Sequence, residues 1–209
     1  MLNGHDVAKW FIFNNPELAS GYIDENTKIN KLLYFSNLMY NCIKNEDLIR
    51  EKFVAFPNGP VVYSVYRDYR YNGLNRLPMS QDIVEVTEDE ERILNIINFI
   101  YGNSTTKELV DESHEHSLWQ SVKHRIPNNP QISFEHIEEE LVEYNKALYE
   151  TYSSLDFANL KKEKINSNIY YYFEDSFNMT EEIVEKLAGL EKVAEPMFLE
   201  MIDGELVVS

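Results

Sequence analysis

The chain has 209 residues, 44% hydrophobic and 13% aromatic, which excludes a disordered chain and suffices for one core or a core domain with an appendage. Nineteen basic residues stand against 36 acidic ones, a formal net charge of −17. Such a surface repels phosphate backbones and attracts cationic partners, so nonspecific nucleic-acid binding by the whole molecule is disfavoured; it either masks a basic partner or serves solubility alone.

In chain order, Asp6 can cap a first helix that buries Val7, Trp10, Phe11 and Phe13. Asn26 or Thr27 can cap a second, with Ile29, Leu32, Leu33, Ser36, Met39, Tyr40 and Ile43 on one face. The segment 51–56 reads as a short strand ending at Pro57. Gly59 as N-cap and Pro60 in the first turn then predict a helix. Its broad stripe is Val61, Val62, Val65, Tyr66 and Tyr69, with Ser64, Arg67, Asp68 and Arg70 facing away. That stripe fits a core better than a ligand surface. A loop follows, with a short strand at Ile83–Val86. Thr87 and Glu90 form a capping-box signature for a helix that Gly102 ends. Ser104 or Thr105 starts another helix, and Pro127 and Pro130 stop the turn and helix after it. Ser133 is placed to cap a long amphipathic helix with glutamates outward. Beyond residue 153 the texture changes: a strand at 168–173, a helix over 181–201 capped by Thr180, and an Asp203-Gly204 hairpin turn. Residues 174–209 carry ten acids and two lysines, a net of −8. The expected fold is therefore mainly α with a small β element. Residues 1–152 would form a compact domain of six to seven helices, and 153–209 an acidic α+β extension packed on it.

Catalytic signatures are missing. There is no phosphate loop, dinucleotide glycine fingerprint or nucleophile elbow. His114 and His116, two apart on a helix, point to different sides, and Leu118 breaks the H-E-x-x-H spacing, so neither a metal nor a cofactor is expected. Cys42, the one cysteine, excludes an intrachain disulfide and sits in an apolar stretch without a base beside it, as an inert buried thiol does. The N-terminus lacks the pattern of a signal peptide, and no apolar run approaches the ~20 residues of a membrane span. The cytoplasm is the expected location.

Three stretches, in order, resemble the Panacea domain, the SocA-like or GepA-like phage-associated family. Lys31, Leu32, Leu33, Tyr34 and Phe35 match its K-L-x-K-L-L-Y-F helix, with Ile29 where leucine is usual. Phe53, Ala55, Gly59, Pro60, Val61, Val65 and Tyr66 match F-x-A-W-x-x-G-P-V-x-x-x-V-Y, with Phe56 in place of tryptophan. Leu109, His114 and Trp119 match L-x-x-x-T-H-x-x-x-P-W, with Ser113 for threonine and Leu118 for proline. The resemblance covers roughly residues 5–150 and leaves the C-terminal module unassigned. It implies a non-enzymatic antitoxin that neutralises a cognate toxin by direct contact, and one member type delivers its toxin to the ClpXP protease as an adaptor. It implies a mainly helical fold and carries over no catalytic residue.

On this reading a tyrosine-rich groove anchors a toxin, expected to be basic, with Tyr34, Tyr63 and Tyr69 as exposed anchors beside Arg67 and the acidic module as a second arm. Core packing is the competing role for Tyr34 and Tyr66, with His114 and Trp119 fastening their segment against the one containing Gly59, Pro60 and Val61. A DNA-linked regulator would rest on Arg67, Arg70 and Arg76, and a DNA-mimicking inhibitor on the acidic faces. A small-molecule hydrolase or transferase has no motif in its favour. The tyrosines and the terminal hairpin are compatible with a homodimer.

Overall fold

The computed structural model describes residues 1–209 apart from 77–84, 167, 192, 194 and 195. Helix takes 52% of the described residues and strand 17%, a mixed α+β arrangement with small sheets in which helix predominates. The chain divides into two compact units, Met1–Ser154 and Leu155–Ser209.

In the first unit, α1 spans Gly4–Asn14. Its cap is Asn3, whose side chain accepts from the His5 N–H, and not the expected Asp6. Asp6 lies in the first turn, where the helix dipole favours its charge. Phe13, expected inside, is 39% exposed, while Trp10, Phe11 and Ile12 are buried. A 3₁₀ turn at Pro16–Ser20 leads to α2, Ile23–Lys44. This helix starts ahead of Asn26 and Thr27, so neither caps it, and ends at Asn45 in the left-handed conformation. It packs against α1 and against five elements introduced below, and its burial extends well past the expected stripe to Tyr34, Phe35 and Leu38.

The segment after it departs from expectation. β1, Phe53–Phe56, pairs antiparallel with β2, Gly59–Val62, and only then does α3 begin, Tyr63–Tyr71. Gly59 and Pro60 thus belong to a hairpin and do not start the helix. The reason is local. Pro57 and Asn58 supply the turn, Gly59 adopts φ +92, and the fixed φ of Pro60 suits a strand as well as a helical first turn. Val61 and Val62 are β-branched and fit the ladder opposite Val54 and Phe53. Segment 130–132 extends the hairpin: Ala55 N–H donates to Pro130 O at 2.8 Å and Ile132 N–H to Phe53 O at 2.9 Å.

α4, Glu88–Tyr101, and α5, Thr106–Glu115, each begin with a complete capping box, from Thr87 with Glu90 and from Thr105 with Glu108. Of the strand expected at Ile83–Val86, Ile83 and Val84 lie outside the described residues, and Glu85 and Val86 are not in a strand. α6, Ser117–Gln120, follows, then a 3₁₀ turn. α7 runs Glu139–Tyr152, starting five residues later than Ser133 as a cap would place it. The chain between is spent on Phe134, which is buried with its ring 5.6 Å from Phe53 and 5.9 Å from Tyr34. α2 thus meets α3, α4, α5, α7 and β2 as well as α1.

The second unit is a sheet of order β3-β4-β5-β6: Leu160–Ile165, Asn168–Phe173, Met197–Ile202 and Glu205–Val208. The pair β4 and β5 is parallel and therefore needs a crossover, which holds α8, Glu181–Ala188. Thr180 caps α8 as expected, but the helix ends at Ala188, and Met197–Ile202 is a strand. Asp203 and Gly204, at φ 53 and 83, make the expected tight turn. Tyr170, Phe177, Leu187 and Leu199 are the heart of this unit's own core.

Candidate functional site

The polar residues of α2 hold the hairpin and α3 by their main chain. Lys31 is wholly buried and its Nζ donates to Pro60 O at 2.9 Å. The adjacent Asn30 Oδ1 accepts from Val62 N–H at 3.0 Å, and one turn earlier Asn26 Nδ2 donates to Tyr66 O at 2.9 Å. Asn30 Nδ2 donates to Asn26 O and Oδ1. Buried amides are stable only when bonded in this way. Burial pushes the Lys31 ammonium down to about 7, because a charge without solvent or counter-ion is costly.

Gly59 lies where this lysine meets α5. A Cβ there would stand 2.6 Å from Ser113 Oγ and 2.7 Å from Lys31 Cε. His114, at the end of α5, stacks flat on Trp119 with ring centres 3.8 Å apart, and Trp119 Nε1 donates to Phe56 O at 3.1 Å. Burial first and the Lys31 charge second hold the His114 imidazole below its usual range. The residues of the three sequence stretches therefore converge on one place. Lys31, Gly59 and Pro60 form its centre, His114 and Trp119 close one side, and Val61 is buried in the same hairpin. Leu32, Leu33 and Phe35 fill the core, where Phe35 stacks on Tyr101 at 4.4 Å.

The expectation of three exposed tyrosine anchors is corrected for two of them. Tyr34 is fully buried, its hydroxyl 3.0 Å from His116 Nδ1, because its ring completes the cluster of Phe35, Phe53 and Phe134. Tyr69 is also buried and donates to Leu18 O at 2.5 Å. Tyr63 alone is exposed, at 52%. It sits on α3 beside Phe56, whose ring also meets Tyr66 edge-on at 5.3 Å. Arg70 lies over the ring of Tyr71, which is 68% exposed. Arg67 donates to Asp68 at 2.8 Å. Asp68 also takes His5 and Asn72 as partners, and these bonds, that of Arg67 foremost, hold its carboxyl well below the usual range. The outcome is a surface row of Phe56, Tyr63, Tyr66, Arg67, Arg70 and Tyr71.

The two histidines take different partners, but α5 ends at Glu115, so His116 lies past the helix and not on it as expected. His116 turns inward to Tyr34, and burial lowers its imidazole to about 4. Among the described residues no group of three His, Cys, Asp or Glu side chains is placed to hold a metal. Burial raises the Cys42 thiol to about 11, which removes thiolate character at neutral pH. No described helix is long and apolar enough to cross a membrane. Sequence reasoning missed Asn26 and Asn30. Their signal was legible as two amides one helical turn apart, beside an apolar stripe too broad to leave them in water.

No curated protein and no solved structure matches the chain. Residues 29–120 match the family model described as antitoxin SocA-like, Panacea domain, and it is over this stretch, from α2 to α6, that the chain resembles that family.

Proposed function

We propose that the chain is an antitoxin-like protein that neutralises a toxin by direct binding, with the outer face of α3 as its contact. The observation that carries this reading is the convergence of the family-like segments behind one exposed row of tyrosine and arginine. Those two residue types dominate binding hot spots, since they join large apolar area to directed hydrogen bonds. Tyr63 is the central anchor and Arg67 and Arg70 flank it. A partner of basic overall charge is drawn by the net −17 of the chain, and complementary charge speeds the encounter. Delivery of the captured toxin to a ClpXP-type protease is the finer form of the same reading.

The test is co-expression with the product of the adjacent gene in growth assays. Wild type should rescue growth and co-purify with the toxin. Tyr63→Ala combined with Arg70→Ala should lose rescue while melting as wild type does. Rescue undiminished by that double change would reject the α3 face. Absence of rescue and of co-purification by wild type would reject the antitoxin role. The regulator reading draws on Arg67 and Arg70 as well, but Arg67 is already paired with Asp68, which weakens it as a phosphate ligand.

A further inference from the structure

The two edges of the C-terminal sheet differ in chemistry. β3 carries Lys161, Lys162 and Lys164, charges of the kind that keep an edge strand from pairing. β6 is Glu205, Leu206, Val207 and Val208, with no lysine or proline. Phe198 and Ser209 exchange both backbone hydrogen bonds, at 2.8 and 3.0 Å, and Glu200 lies opposite Val207. Exchanging pairs alternate along an antiparallel ladder. Glu205 and Val207 therefore turn their backbone groups to β5, while Leu206 and Val208 turn N–H and C=O outward. Among the described residues no backbone bond from another segment reaches those four groups. Met201 and Ile202, beside the turn, are 44% and 50% exposed.

We propose that β6 pairs antiparallel with β6 of a second copy of this chain, about a two-fold axis through Val207, joining two four-stranded sheets into one. In that register Leu206 of each copy exchanges both backbone bonds with Val208 of the other, so every outward group gains a partner. Val207 meets Val207 of the second copy, a β-branched cross-strand pair. Glu205 faces Ser209 of the second copy. Pairing β3 with itself would bring lysines into the seam, and joining β6 to β3 would give an open-ended chain of molecules where a two-fold contact closes. The seam is short, so the dimer is weak and concentration-dependent. This inference does not rest on the antitoxin reading.

Sedimentation equilibrium of the full chain from about 1 µM to about 1 mM spans the range for such a contact. The weight-average mass is expected to climb from one chain towards two. Val207→Lys and Val207→Glu, each alone, should stay monomeric, and their equal mixture should dimerise; Val207→Lys, whose new charge lies opposite Glu200, should melt as wild type does. Amide exchange at Leu206 and Val208 should slow as concentration rises, a readout that needs no variant. Wild type that stays monomeric throughout overturns the proposal. So does a folded Val207→Lys that dimerises like wild type, or a dimer in which exchange at Leu206 and Val208 does not change.

Discussion

Replacing Lys31 by methionine tests the reasoning about its burial most directly. Methionine keeps the unbranched stem and removes the amine. In the folded chain the ammonium titrates near 7, against 10.5 for a free lysine. Between those values the unfolded chain holds a proton that the folded chain has released, so wild-type stability rises with pH across this window. Below 7 lysine is charged in both states, and the full cost of burying the charge persists without further pH dependence. Each unit is worth about 1.4 kcal/mol, and integration from pH ~7 to ~9.5 gives a gain of about 3 kcal/mol. Lys31→Met abolishes that gain. It also leaves Pro60 O without its donor, which costs about 1–3 kcal/mol at every pH and shifts the whole curve without tilting it. Urea unfolding at several pH values measures both quantities, and the difference between the curves cancels the titration of all other groups. A variant whose stability rises with pH as steeply as wild type would refute the assignment of a lowered ammonium to Lys31.

Gly59→Ala should destabilise by about 2–4 kcal/mol, since it combines a positive φ with a Cβ against Ser113 and Lys31. Gly204→Ala has a similar φ and open space around it, so about 1 kcal/mol is expected, and thermal melts of the two separate clash from strain. Trp119→Phe should cost about 1–2 kcal/mol by stranding Phe56 O, read by denaturant midpoint at unchanged slope. Tyr34→Phe should cost a similar amount, about 1–2 kcal/mol, by leaving His116 Nδ1 unpartnered, whereas Tyr63→Phe on the surface should stay within about 0.5 kcal/mol.

Local signals in the sequence located those elements whose ends are set by nearby residues. The capping box at Thr87, the cap at Thr180 and the Asp203-Gly204 turn all act within four residues, and each stands where the sequence puts it; of Ser104 and Thr105, both open as starts of α5, it is Thr105 that caps. The segment from Gly59 failed because glycine followed by proline admits both a helix start and a strand. What decides between them is distant: the ladder to β1, and Lys31 waiting for Pro60 O across 29 positions. Phe134 failed in the same way, since a pocket between Tyr34 and Phe53 outweighs the helical preference of its neighbours. The tyrosines show the limit for the site. Tyr34, Tyr63 and Tyr69 are one residue type in similar surroundings, and only the tertiary arrangement separates two core members from one surface member.

Asn26, Asn30 and Lys31 bind main-chain atoms of Pro60, Val62 and Tyr66 rather than their side chains. A carbonyl is supplied by every amino acid, and an amide hydrogen by all but proline. Mutations that alter the outward side chains of α3 therefore leave these bonds, one to α3 and two to β2, intact. If the outer face of α3 is the contact proposed above, recognition and foldability are uncoupled there, and the residues that bind can change one by one at little cost in stability.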